Sequence, residues 1–129
     1  MTDDPLLRAA LAVRDSAHAP FSKFKVGAAI EDANGAIYTG CNVENATYGL
    51  TICAERVAVF KAISEGARNF VRVAVAADTE TLTPPCGACR QVLWEFCGDV
   101  EIVLLNLRGQ TEICRLKDLF PRPFDVSYL

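Results

Sequence analysis

The chain has 129 residues, 51% of them hydrophobic and 22% charged, enough for one compact domain with its own core and too apolar for a disordered segment. Its formal net charge of -3 speaks against a nucleic-acid polymer as partner, because binding one normally takes a basic stripe that displaces counterions from phosphates. The first twenty positions include Asp3, Asp4, Arg8, Arg14 and Asp15, which leaves no uninterrupted apolar core for a signal peptide or membrane span, so a cytoplasmic location without membrane contact is expected.

Asp4-Pro5 starts a helix with an acidic cap and a proline in the first turn, and Leu7, Ala10, Leu11, Arg14 and Ala17 follow at helical spacing. A first helix is therefore expected over about residues 5–17. Val26, Ala28 and Ile30 alternate with their neighbours, Asn34-Gly35 supplies positive φ for a tight turn, and residues 36–41 continue extended, which makes a β-hairpin. From Cys53 to Glu65 the apolar Val57, Phe60, Ala62 and Ile63 lie near a helical period that Gly66 ends. Val71, Val73 and Val75 mark a strand, residues 87–97 another helix ended by Gly98, and Ile102 to Leu105 a further strand. Past Arg115 a short helix leads into an irregular tail, Pro121-Arg122-Pro123-Phe124. Strands separated by helices of this length place the chain in the α/β class, with a partly parallel sheet and helices on its faces. No repeat, low-complexity run or linker divides residues 1–129, so one domain is expected.

Six cysteines in a reducing compartment point to metal binding or catalysis rather than to disulfides. Three stand at the starts of the two internal helices: Cys53 in Cys53-Ala54-Glu55, and Cys86 and Cys89 in Pro85-Cys86-Gly87-Ala88-Cys89. The partial positive charge of a helix amino end stabilises thiolates, and zinc is the natural metal for them. Three protein ligands leave a tetrahedral zinc one position for water, the arrangement of a catalytic site, whereas a structural site would be closed by a fourth ligand such as Cys41, Cys97 or Cys114. Otherwise those three are most simply buried small hydrophobes. Glu55, two residues past Cys53, reaches the water position without being a ligand, which suits a proton shuttle for a hydrolysis.

Cys53-Ala54-Glu55 with Pro85-Cys86-Gly87-Ala88-Cys89-Arg90-Gln91 matches the signature of the zinc deaminases of nucleobases, with Cys at the first ligand. Together with Gly40-Cys41-Asn42-Val43-Glu44-Asn45-Ala46-Thr47-Tyr48, these motifs make the chain closely resemble, over nearly its whole length, the small homotetrameric cytidine deaminases. The resemblance implies a three-layer α/β/α fold with a mixed sheet of about five strands. It also implies one Zn²⁺ per subunit on Cys53, Cys86 and Cys89, and Glu55 as general acid/base. Asn42 and Glu44 would bond the ribose, Phe24 would stack on the pyrimidine, and Ala54 would be a further substrate contact. Phe124 would reach the site of a neighbouring subunit in a homotetramer. Arg56 would aim its guanidinium at the zinc thiolates, where hydrogen bonds to sulfur offset the excess negative charge of three thiolates on Zn²⁺.

The activity so implied is hydrolysis of cytidine and deoxycytidine to uridine and deoxyuridine with release of ammonia, as in pyrimidine salvage. The chain departs from the family at Pro84, where Ser or Thr often precedes the Pro-Cys pair; a backbone carbonyl there remains an acceptor for the substrate's exocyclic amine. Rival readings are deamination of a blasticidin-type nucleoside, of a polynucleotide, or a non-enzymatic zinc module. His18 reads as a surface residue after the first helix.

Overall fold

Asp4 accepts from the Leu6 N–H at 3.0 Å and Pro5 follows it, so the first helix, α1 (Pro5–Arg14), begins where cap and proline place it. The computed structural model describes residues 2–129. After α1 come strands β1 (Val26–Asp32) and β2 (Ile37–Cys41), helix α2 (Ala54–Ser64), strand β3 (Phe70–Ala77), helix α3 (Gly87–Cys97), strands β4 (Glu101–Leu105) and β5 (Thr111–Arg115) and the short helix α4 (Leu116–Leu119). The five strands form one mixed sheet in the order β2-β1-β3-β4-β5. β3 and β4, joined through α3, run parallel, and every other pairing is antiparallel.

The alternation of side chains along each strand divides the core in two. Ala29, Ala74, Ala76, Val103 and Leu105 pack under Leu6, Leu7 and Ala10 of α1. Ala28, Ile30, Val73, Val75, Ile102 and Leu104 face Ala54, Ala58, Val59 and Ala62 of α2 and Leu93 of α3. The result is the expected α/β/α layering. Two glycines let the helices approach the sheet closely: a Cβ on Gly27 would stand 2.1 Å from the Ala10 carbonyl oxygen, and one on Gly40 only 2.4 Å from the Ala58 nitrogen and 2.6 Å from the Ala54 oxygen.

Several expectations need correction. The first helix stops at Arg14 rather than near residue 17, because the chain turns away to pair His18 with Val43, its N–H bonding the Asn42 carbonyl at 3.0 Å. In the hairpin only Gly35 has positive φ, +86°. Asp32 shapes that turn, its Oδ1 accepting from the N–H groups of Asn34 and Ala36 at 2.9 and 3.0 Å. Along α2 the buried stripe is Ala54, Glu55, Ala58, Val59 and Ala62, while Phe60 faces outward. Strand β5 had no place in the chain-order reading. Cys41, Cys97 and Cys114 are half-buried rather than buried, and His18 is exposed as expected.

Candidate active site

Cys53 is the N-cap of α2 and Cys86 the N-cap of α3, with Cys89 in the first turn of α3. Packing of these two helices side by side on one face of the sheet brings both amino ends together. The sulfur atoms of Cys53, Cys86 and Cys89 all lie within 4.8 Å of one another, with Cys53 and Cys86 3.7 Å apart. Thiolates at zinc's bond length of ~2.3 Å on a tetrahedron are separated by about 3.8 Å, so this donor set fits zinc.

Arg56 donates from Nη2 to the Cys53 sulfur at 3.4 Å. Its Nε is the one buried side-chain nitrogen or oxygen without a hydrogen-bond partner among the described residues. A guanidinium left partly unpaired beside a sulfur trio is placed to offset accumulated negative charge. Hydrogen bonding with Cys89, and then with Arg56, draws the Cys53 thiol down to about 5. The Cys89 thiol is held up by the same contact with Cys53 and by burial.

Glu55 lies on the buried stripe of α2 with 5% of its surface exposed. Burial, reinforced by the charge of Cys53, pushes its carboxyl up to about 7 although Arg56 opposes the shift. A carboxyl poised there exchanges protons in either direction near neutrality. Ala54, just before it, is fully buried at the first position of α2.

Asn42 and Glu44 both turn toward the segment leading into β1. Asn42 donates from Nδ2 to the Phe24 carbonyl at 2.7 Å and accepts at Oδ1 from the Val26 N–H at 2.9 Å. Glu44 accepts at Oε1 from the N–H groups of Phe21 and Ser22 at 2.9 and 3.2 Å, and at Oε2 from the Ser22 hydroxyl. The Ser22 hydroxyl is the first cause that holds the Glu44 carboxyl below its ordinary value. Each side chain thus has a positioning task besides any contact with a ligand. The Phe24 ring stays 40% exposed instead of entering the core, so its face is available to a flat ligand.

A cavity of about 390 Å³ is lined by Phe21, Ser22, Glu44, Tyr48 and Thr51. Of its lining residues Thr51 is the nearest in sequence to the cysteine trio, two residues before Cys53, and Glu44 is the one expected from the sequence to meet the ribose. Ser22 and Thr51 were missed by sequence reasoning, and as ordinary loop residues they give no spacing signal. A larger cavity, about 800 Å³, lies between α1 and the β4–β5 turn, and its lining includes none of the metal-ligating, catalytic or substrate-binding residues expected from the sequence. Phe124 is half-exposed and stacks on Tyr128 with ring centroids 5.7 Å apart. Pro84 is exposed in the loop before Cys86.

Comparison with known proteins agrees with this architecture. A family profile described as the cytidine and deoxycytidylate deaminase zinc-binding region matches residues 1–105. A cytidine deaminase of Sporosarcina psychrophila is 48% identical over 99% of this chain and 97% of its own length. One from Halalkalibacterium halodurans is 48% identical over 95% of this chain and 93% of its own. The crystal structure of a Burkholderia pseudomallei cytidine deaminase superposes with a TM-score of 0.91 at 46% identity, covering 96% of this chain and all of that one. The chain therefore belongs to the cytidine and deoxycytidylate deaminase family, whose zinc-binding region it carries.

Proposed function

We propose that the chain hydrolyses cytidine and deoxycytidine to uridine and deoxyuridine with release of ammonia, as one catalytic domain acting in pyrimidine salvage. The observation that carries this reading is the convergence of three cysteine sulfurs within 4.8 Å, next to a carboxyl that is almost wholly buried. Cys53, Cys86 and Cys89 would hold one zinc per subunit, which when bound supplies the electrophilic centre that makes water acidic near neutrality.

The chain's own residues do the rest. Glu55 takes a proton from water and delivers it to ring nitrogen 3, which makes carbon 4 electrophilic. Addition of the hydroxide so formed to carbon 4 gives a tetrahedral intermediate; Glu55 then takes the proton of the new carbon-4 hydroxyl and passes it to the amine, so that the carbon–nitrogen bond breaks as the carbon 4 carbonyl forms and ammonia leaves. Arg56 restrains the charge of the thiolates. Phe24 stacks on the pyrimidine, the backbone of Ala54 contacts it, and Asn42 and Glu44 receive the ribose through the hydrogen-bonding capacity that their grip on residues 21–26 leaves over.

A homotetramer whose sites are completed by neighbouring subunits is supported by the apolar side chains the single chain exposes: Tyr48 and Leu50 before α2, Phe60 on it, and Phe124 in the tail. The six free cysteines support a cytoplasmic location. No helix among the described residues is long and apolar enough to cross a membrane.

Ammonia release from cytidine, deoxycytidine, free cytosine, a blasticidin-type nucleoside and a cytosine oligonucleotide tests this reading. Release from the two plain nucleosides above all others is expected; preference for the oligonucleotide or the blasticidin-type compound would contradict it.

A further inference from the structure

Of the three clustered sulfurs, that of Cys86 has the least support of its own. Cys89 is buried within the first turn of α3, whereas Cys86 is an exposed N-cap at the end of an irregular loop, residues 78–86. Its place therefore depends on the peptide that precedes it. Arg90, one turn further along α3, donates from Nε to the Pro85 carbonyl at 2.7 Å. From Nη1 it donates at 2.7 Å to the carbonyl of Leu119, the last residue of α4.

A planar guanidinium holds its donors at fixed angles, so two short bonds from one fork lock two carbonyls relative to each other. Pro85 strengthens the lock: its side chain is fully buried and its ring fixes φ, which leaves the carbonyl held by Arg90 little freedom to turn. The far anchor is firm as well. Beyond α4 the tail is fastened to α3 by Gln91, which donates to the Phe124 carbonyl at 2.9 Å, and by Trp94, which donates to Asp125 at 3.1 Å.

We infer that Arg90 is a positioning residue for the metal centre: its guanidinium braces the Pro85–Cys86 peptide against the end of α4, so that Cys86 keeps its place beside Cys53 and Cys89. This rests on the proposed role of the three cysteines as zinc ligands. The carboxy-terminal segment thereby contributes to the metal site without supplying a ligand. Lysine cannot substitute, since a single ammonium lacks the fork that reaches both carbonyls.

The test compares the zinc-loaded chain with Arg90→Gln and Arg90→Lys. Zinc transfer to an excess of chromophoric chelator gives the release rate, the thiolate-to-metal absorption of the cobalt form reports the sulfur geometry, and circular dichroism reports the fold. Arg90→Gln is expected to release zinc about 10–100-fold faster, with an altered cobalt spectrum and an unchanged backbone signal. Arg90→Lys should also release zinc faster than the unaltered chain, and it decides the matter if Arg90→Gln fails to fold. Release at the unaltered rate from a folded variant, even one that melts at a lower temperature, overturns the inference and leaves the zinc reading intact. If the unaltered chain takes up no zinc, the zinc reading falls and this inference with it.

Discussion

The amide of Asn42 bridges the two backbone groups that flank residue 25, donating to the Phe24 carbonyl at 2.7 Å and accepting from the Val26 N–H at 2.9 Å. One side chain at the end of β2 thus sets the approach of Phe24 to the site and the start of β1. Asn42→Ala leaves both groups without that partner, and an expected stability loss of about 1–3 kcal/mol is measurable by urea unfolding. The same variant should raise KM for cytidine more than it lowers kcat. An unchanged KM would mean that neither Phe24 nor the ribose depends on Asn42.

Gly40 offers a test from the opposite side of the site. A methyl group there would meet the backbone of α2 at Ala54, Val57 and Ala58, all within 3 Å, and backbone cannot rotate aside as a side chain can. Gly40→Ala should displace the helix turn that carries Cys53 and Glu55. The expected destabilisation is about 1–3 kcal/mol or more, with zinc content and activity falling together. A variant that melts normally and keeps its zinc would contradict the close packing of β2 on α2.

Glu55→Gln keeps the shape of the buried side chain and removes its ability to take up a proton. Turnover of cytidine should fall by at least about 10²–10⁴, while zinc content, measured by elemental analysis, stays at that of the unaltered chain. Turnover near the original rate would remove Glu55 from the mechanism.

Asp4 links α1 to the sheet. Its carboxylate accepts from Arg72 Nη1 and Nη2 at 2.7 and 3.1 Å, and Arg72 Nε donates to Glu31 at 2.8 Å. The hydrogen bond from Arg72, followed by the Leu6 and Leu7 N–H groups, holds the Asp4 carboxyl below its ordinary 3.8. Because the unfolded chain then binds this proton more readily, the stabilisation is complete above that value and is lost as the pH falls below it. Asp4→Asn, still a good helix cap, should therefore be less stable than the unaltered chain at neutral pH, with the gap closing on acidification. A gap independent of pH, in unfolding curves taken from neutral to strongly acidic buffer, would exclude the ion pair as its source.

What could be read from the sequence follows the range over which each feature is determined. The cysteine trio and Glu55 were legible because their spacing at two helix starts is local and chemically restrictive. Strand β5 was not, since Thr111, Glu112, Ile113 and Arg115 are all exposed on a sheet edge and give no alternation to read. The inward stripe of α2 was blurred because small alanines fill it while the larger Phe60 turns outward. The hold of Asn42 and Glu44 on residues 21–26 spans 16 to 23 positions, a range at which only the folded sheet supplies the pairing. The link from Arg90 to Leu119 spans 29 and was hidden for the same reason, although Arg90 itself stood within the motif.

The most direct measurement follows the cytidine absorbance band after addition of the purified chain, first zinc-loaded, then after chelation, then after zinc is returned. Decay of the band in the first state, none in the second and recovery in the third is the expected outcome. Persistence of the band with zinc fully loaded, or undiminished decay by a chain that elemental analysis finds free of metal, would contradict hydrolysis at a three-cysteine zinc centre.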